Sequence, residues 1–245
     1  MTQTSTHYLS KGKLLKPKLL DLFCCAGGAA EGYDRAGFEV IGVDIIPQPN
    51  SPFEFHQADA LDFLRWNWTR FDAVHASPPC QAYSAMKHMP DAKAHPELIE
   101  PTRELLTKLG LPWVIENVVG APMAGSIVLC GSMFALNAQG FGLRRHRQFE
   151  SSLPITAPRL CEHSLPTIGV YGGHVRCRSS KFWRETGADF PGYDKKSLAY
   201  EAMGIGHKMT MNELSEAIPP AYTEHIGRQL LSGMAPASSL FALAR

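Results

Sequence analysis

Three short stretches of the 245-residue sequence carry side chains that can do chemistry. The first is Ser77-Pro78-Pro79-Cys80-Gln81. Its two prolines have fixed φ angles and stiffen the turn that presents Cys80. An accessible thiol so placed is a nucleophile wherever its surroundings favour the thiolate. The second is Glu116-Asn117-Val118, whose carboxyl group can hold a proton or give one up. The third, Asp21-Leu22-Phe23-Cys24-Cys25-Ala26-Gly27-Gly28, reads as a strand that breaks into a glycine turn and then a helix. Such a turn lets backbone N–H groups approach a ligand and aims a helix N-terminus at it. Asp44, about twenty residues on, is placed to hold ribose hydroxyls. Asp59, after a further strand-like stretch, could accept from an adenine amino group. Together these suit a nucleotide or nucleoside cofactor; a tight turn without a ligand is the competing reading. The turn has no third spaced glycine and no P-loop lysine, so NAD and ATP fit poorly.

These residues make one site only if the elements carrying them end on one rim. Apolar runs over 19–23, 39–43, 71–76 and 111–115 predict strands, and 29–36, 61–64 and 97–108 have helical spacing. Strands alternating with helices mean an α/β chain with a doubly wound parallel sheet. Ligands gather at the carboxyl ends of such strands, where Asp44, Cys80 and Glu116 all fall. Residues 1–17 read as a flexible arm and 18–150 as the catalytic and cofactor-binding domain. Residues 151–197, rich in Pro, Gly, Ser, Arg and His, read as a small irregular insertion. Helical patterning returns over 198–231, with a capping box at Thr210 and Glu213 and Pro220 in a first turn; 232–245 is a tail.

Lys and Arg number 24 against 23 Asp and Glu, so no global basic field announces a partner. The charge is nevertheless uneven. Residues 141–185 hold eight Arg/Lys against three Asp/Glu, a local +5 that points to an anionic partner on one face. No apolar run reaches membrane-spanning length and no secretory leader is readable, so a cytoplasmic protein without membrane contact is expected. Six cysteines in a chain this long do not form a disulfide scaffold, in keeping with a reducing compartment. Cys161-x-His163 and His174-x-x-Cys177 supply four zinc-type ligands, although the spacing is not that of a standard finger. A site without metal is the first expectation and zinc the alternative.

Taken together, 21–28, Asp44, Asp59, Pro79-Cys80-Gln81, Glu116-Asn117-Val118, Arg145-x-Arg147 and Ala217-Ile218-Pro219-Pro220 resemble the cytosine-C5 DNA methyltransferases, in a short form with a reduced target-recognition region. The resemblance spans 19 to about 230 and implies a Rossmann-like S-adenosylmethionine-dependent methyltransferase fold. It places the cofactor against Phe23, Gly27, Gly28, Asp44, Ile45, Asp59, Ala60, Pro79 and Glu216. It makes Cys80 the nucleophile at cytosine C6 and Glu116 the partner of N3 and the exocyclic amine, with Arg145 and Arg147 holding a base rotated out of the duplex. Gln81, Ser84 and Lys87 would meet DNA from a loop over 82–96, and Arg176, Arg178 and Lys181 from the basic segment. Double-stranded DNA is the implied partner, a restriction-modification companion comes with the resemblance, and a monomer is expected. A small recognition region implies a short site, guanine-containing if arginines read it. The same motifs occur in tRNA cytosine-C5 methyltransferases, and a catalytically silent nucleic-acid-binding subunit is a further alternative. Three positions depart from the pattern: Cys25 stands where the family has Gly, Leu143 where it has Gln, and Glu216 where it often has Asn.

Overall fold

The computed structural model describes residues 9–10, 13–14, 16–83, 96–177, 190 and 192–234. In chain order its strands and helices are β1 (Leu9–Ser10), β2 (Lys13–Leu14), β3 (Lys18–Leu22), α1 (Gly28–Ala36), β4 (Glu39–Asp44), β5 (Glu54–Gln57), α2 (Ala60–Asn67), β6 (Ala73–Ala76) and α3 (Ile99–Leu109). There follow β7 (Trp113–Asn117), β8 (Ile127–Leu129), β9 (Asn137–Ala138), β10 (Phe141–Leu143), β11 (Arg147–Ser151), β12 (Thr167–Tyr171) and β13 (His174–Cys177). Three helices close the order: α4 (Lys195–Met203), α5 (Met211–Glu216) and α6 (Pro220–Met234). Within the segment expected as a flexible arm, β1 and β2 pair antiparallel.

The main sheet has the order β5-β4-β3-β6-β7-β11-β8. Its first five strands are parallel, and β11 and β8 extend it antiparallel. From β3 the chain steps outward through β4 and β5, then returns to lay β6 on the other side of β3. The order therefore reverses at β3/β6, the place where open α/β sheets leave a crevice for ligands. Strands β6 and β7 are buried at every residue, and β3 at all but its first. Helices cover both faces of such strands, so they read as unbroken apolar runs.

The first and last helices are locked together by glycine. A Cβ on Gly32 would lie 2.1 Å from both the Pro220 carbonyl and Thr223 Oγ1, and one on Gly28 would lie 2.8 Å from Ala217 Cβ and the Ile218 carbonyl. Only a missing side chain permits that approach. Thr223 Oγ1 also donates to the Ala29 carbonyl at 2.9 Å.

The segment expected to be irregular is only partly so. Strands β12 and β13 form a hairpin that joins β10 and β9 in a second sheet, of order β13-β12-β10-β9. Phe141, Leu143, Ile168, Val170 and Val175 pack there with Leu198, Ala202 and Met203 of α4. This small sheet therefore begins before residue 151, with two of its four strands, β9 and β10, supplied by residues 137–143. No helix of the described residues is long and apolar enough to cross a membrane.

Candidate active site

Strand β6 runs into the Pro-Pro turn. The turn is tied down by the Ser77 N–H donating to the Leu22 carbonyl at 3.1 Å and by Asn117 Nδ2 donating to the Pro78 carbonyl at 2.8 Å. Asn117 thus bridges the ends of β6 and β7, and Cys80 sits half-buried on a turn held from below. Burial pushes the Cys80 thiol up, and the Glu116 carboxylate adds to this, while Arg147 and Arg145 oppose it.

Glu116, near the end of β7, is buried, and its Oε1 lies 3.2 Å from Arg147 Nε. Burial also raises its pKa, against the pull of Arg147, a hydrogen bond from Ser77, and Arg145. The carboxyl group therefore keeps its proton to higher pH than a free glutamate does. Behind it runs a chain of buried groups that the sequence did not reveal. Ser77 Oγ is 2.9 Å from His75 Nε2, and His75 Nδ1 is 3.0 Å from Tyr33 Oη. Burial lowers the His75 pKa to about 3, so the ring is neutral. The network then assigns the Tyr33 hydroxyl as donor to Nδ1, Nε2–H as donor to Ser77, and the Ser77 hydroxyl as donor to Glu116. Only the Ser in Ser-Pro-Pro-Cys hinted at this, because Tyr33 and His75 lie inside α1 and β6 and look like ordinary core residues.

The two arginines have different tasks. Arg147 pairs with Glu116. Arg145 is buried and sends Nη1 to the Val170 carbonyl at 2.5 Å and Nη2 to the Ser215 carbonyl at 2.7 Å, while its own carbonyl accepts from Tyr222 Oη. It joins β12 to α5 rather than reaching Glu116. Desolvation lowers its pKa to about 9, and its Nε has no partner. Both arginines line a cavity of ≈ 390 Å³ with Arg144, His146, Val170 and Tyr171. That lies within the ~300–1,000 Å³ of small-ligand pockets.

Across the crevice, the glycine turn is strained. Phe23 (φ 58) and Cys25 (φ 46) are left-handed, as is Gly27 (φ 87), which caps α1. Cys25 therefore stands at a backbone position that favours glycine. Its N–H donates to Asp44 Oδ2 at 3.1 Å, and Asp44 Oδ1 accepts from the Ile46 N–H at 3.0 Å. Ile45 and Ile46 leave 67% and 62% of their surface exposed beside this carboxylate, an open apolar wall at a strand end. Glu216 is exposed, and desolvation and the nearby Asp44 raise its pKa. Asp59 caps α2, its Oδ1 accepting from the Leu61 and Asp62 N–H groups, with Ala60 buried behind it. Gly28 serves the contact with Ala217 and Ile218 described above. Leu143 is buried in the second sheet's core, which accounts for an apolar residue there.

Of the expected nucleic-acid contacts, Gln81 is exposed beside Cys80 and Arg176 is exposed on β13. Ser84, Lys87, Arg178 and Lys181 lie outside the described residues. The four zinc-type ligands do not assemble as a set. Among the described residues, Cys161 and His163 group instead with Cys130 and His146. His174 and Cys177 stand on β13, opposite Tyr171 and Ile168 in its ladder with β12.

No family model matches the chain. It is 30% identical over 145 residues to the type II methyltransferase M.AgeI of Thalassovita gelatinovora, a match covering 51% of this chain and 33% of that protein. The chain thus spans about a third of the length of that curated relative. Among solved structures, it superposes on a DNA modification methyltransferase encoded within an E. coli prophage with a TM-score of 0.57 at 14% identity, covering 89% of this chain and 99% of that one. Spodoptera frugiperda DNMT2 gives 0.57 at 14% (88% and 100% covered), and the Entamoeba histolytica methyltransferase EhMeth gives 0.55 at 13% (91% and 100%). The fold is a Rossmann-like α/β fold, shared with these methyltransferase structures.

Proposed function

We propose that the chain methylates C5 of cytosine in double-stranded DNA, using S-adenosylmethionine, through a covalent bond between Cys80 and C6 of a base turned out of the helix. The observation that carries this reading is the convergence of Cys80, Glu116 and Arg147 at the ends of the adjacent strands β6 and β7, with the carboxyl group biased toward its protonated form.

The residues opposite fit the cofactor. The exposed Ile45–Ile46 wall offers a surface for a purine, and Asp44 and Asp59 offer carboxylates for ribose and adenine. Asp44 and Glu216 surround the crevice with acidic groups suited to the positive sulfonium and ammonium of this molecule. When bound, S-adenosylmethionine supplies an electrophilic methyl carbon. Cys80 supplies the electron pair that forms the S–C6 bond and shifts density toward C5. Glu116, hydrogen-bonded at N3, takes up the charge that appears on the ring. Arg147 fixes the Glu116 carboxyl group, and the Tyr33–His75–Ser77 chain orients it from below. Loss of the C5 proton and departure of the Cys80 sulfur then restore the aromatic ring.

The name of the 30%-identical relative, a type II methyltransferase, agrees with a DNA-modifying role beside a restriction partner. The test is methyl transfer from labelled cofactor to duplex DNA and, in a parallel arm, to tRNA. DNA labelling that Cys80→Ser abolishes while cofactor binding persists supports the reading, as does a covalent adduct with DNA containing 5-fluorocytosine. Labelling of tRNA alone moves the substrate to RNA. Turnover by Cys80→Ser within tenfold of the parent chain removes Cys80 from the reaction.

A further inference from the structure

Beside the cavity that His146 lines, four side chains that bind transition metals converge. Ligand atoms of Cys130, His146, Cys161 and His163 all lie within 4.8 Å of one another. His163 Nε2 is 3.3 Å from Cys130 Sγ and 3.0 Å from Cys161 Sγ, and His146 Nε2 is 3.3 Å from Cys161 Sγ. The two imidazoles meet edge to face, with centroids 5.2 Å apart. We propose that these four residues bind one Zn(II) ion tetrahedrally and that the ion staples residues 152–166 to the end of the main sheet.

The fold builds half of this site in advance. Strands β11 and β8 pair antiparallel with Arg147 opposite Leu129, His146 is the residue just before β11, and Cys130 is the residue just after β8. Two ligands thus come from the adjoining ends of neighbouring strands held by the sheet, and Cys130 is fully buried there. The other two come from Cys161-x-His163, in a stretch with no helix or strand between β11 and β12. Zn–S bonds of about 2.3 Å and Zn–N bonds of about 2.0–2.1 Å put sulfur and nitrogen about 3.5 Å apart on a tetrahedral edge. The three S···N separations above are shorter than this and every other ligand pair lies within 4.8 Å, so coordination needs only small adjustments of the four side chains.

Two thiolates and two neutral imidazoles form a charge-neutral site with Zn(II), and an S₂N₂ set selects zinc over magnesium or calcium. Supporting contacts surround it. Ser132 Oγ lies 3.4 Å from Cys161 Sγ and accepts from the Glu162 N–H. Arg159 reaches the Met133 and Ser132 carbonyls. The start of the crossing is already anchored by Leu153 and Ile155 on the main core and by Thr156 with Gln229 of α6, and the ion would anchor the part around Cys161 and His163. The ion would also fix the backbone of His146, whose neighbours Arg145 and Arg147 hold β12 and Glu116.

The whole chain, purified under reducing conditions without chelator, should carry one zinc by elemental analysis. Its Co(II)-exchanged form should show the thiolate charge-transfer and tetrahedral ligand-field bands. Cys161→Ser should lose the metal, His163→Cys should keep it as a Cys₃His site, and Cys177→Ser should keep it. Stripping the ion should speed tryptic cleavage at Arg159 at least severalfold, and zinc should reverse this. Reduced protein that takes up no zinc, a Cys130–Cys161 disulfide in its place, or metal loss from Cys177→Ser equal to that from Cys161→Ser would overturn the proposal. Metal content is read without reference to methyl transfer, so failure of the functional reading leaves this result standing.

Discussion

Two neighbouring charges pull on Cys80 in opposite directions: Arg147 favours its thiolate and Glu116 disfavours it. Replacing Glu116 by Gln should therefore separate reactivity from catalysis. At alkaline pH, where Glu116 is ionised, the variant's Cys80 should react faster with iodoacetamide. Its methylation rate should nonetheless fall about 10²-fold, the usual scale for a positioned acid. A rate that fell with unchanged alkylation would deny the electrostatic contact. Asp21 presents a different case. It is fully buried with neither carboxylate oxygen in a well-formed hydrogen bond, and its pKa is raised well above the ordinary value by burial, then by Asp44 and Glu116, against a weaker pull from the Ala30 N–H. The folded state holds this proton more tightly than the unfolded state. Its contribution to stability is thus complete below the unfolded value near 3.8 and is lost as pH rises through the folded one. Asp21→Asn should flatten that decline, so thermal melting of parent and variant should diverge with rising pH. Parallel curves across that range would show that Asp21 ionises freely.

Among the elements, packing outweighs capping. Thr210 and Glu213 form the expected capping box on α5, and Thr210→Ala should cost about 1 kcal/mol in urea unfolding. Gly32→Ala should cost more, at the top of or beyond the ~1–3 kcal/mol of ordinary overpacking, because its Cβ would meet backbone and a buried threonine. An equal cost for both would mean that α1 and α6 can part without loss. The same contrast explains what could be read from the sequence. Strands β3, β4, β6 and β7 were legible because they are short apolar runs ended by Asp, Pro or Gly, and their carboxyl ends brought Asp44, Cys80 and Glu116 to one rim. The second sheet was not legible. Its strands come from two stretches separated by the crossing at 152–166, and β10 and β13 are too short to show a period. Strand β11 hid behind Arg147 and Gln148, polar residues on a strand next to the sheet's edge. The zinc-type ligands were misgrouped for a related reason. A shared place in the segment read as an insertion favoured His174 and Cys177, whereas Cys130 and His146 stand just beyond the paired ends of β8 and β11.

For the molecule as a whole, the net charge of +1 conceals a basic segment in which Arg144 and Arg147 line the cavity and Arg176 is exposed on β13. If that face meets phosphates, each neutralised phosphate releases condensed counterions, and affinity for duplex DNA should fall steeply as salt rises. Arg176→Ala should weaken binding and reduce the slope of log affinity against log salt by about one. Affinity indifferent to salt would take DNA off this face. The contact of α1 with α6 bears on how the protein comes into being. On the ribosome, the glycine turn and the parallel strands β3 to β7 emerge well before Thr223 and the helix that carries it. Until then the glycine face of α1 has nothing to close against, and Ala217 and Ile218 are not there to back Gly28. The cofactor side of the crevice is among the first parts to be synthesised and among the last to be finished, so a nascent chain stopped short of Ala217 should carry Cys80 and Glu116 and still hold no cofactor.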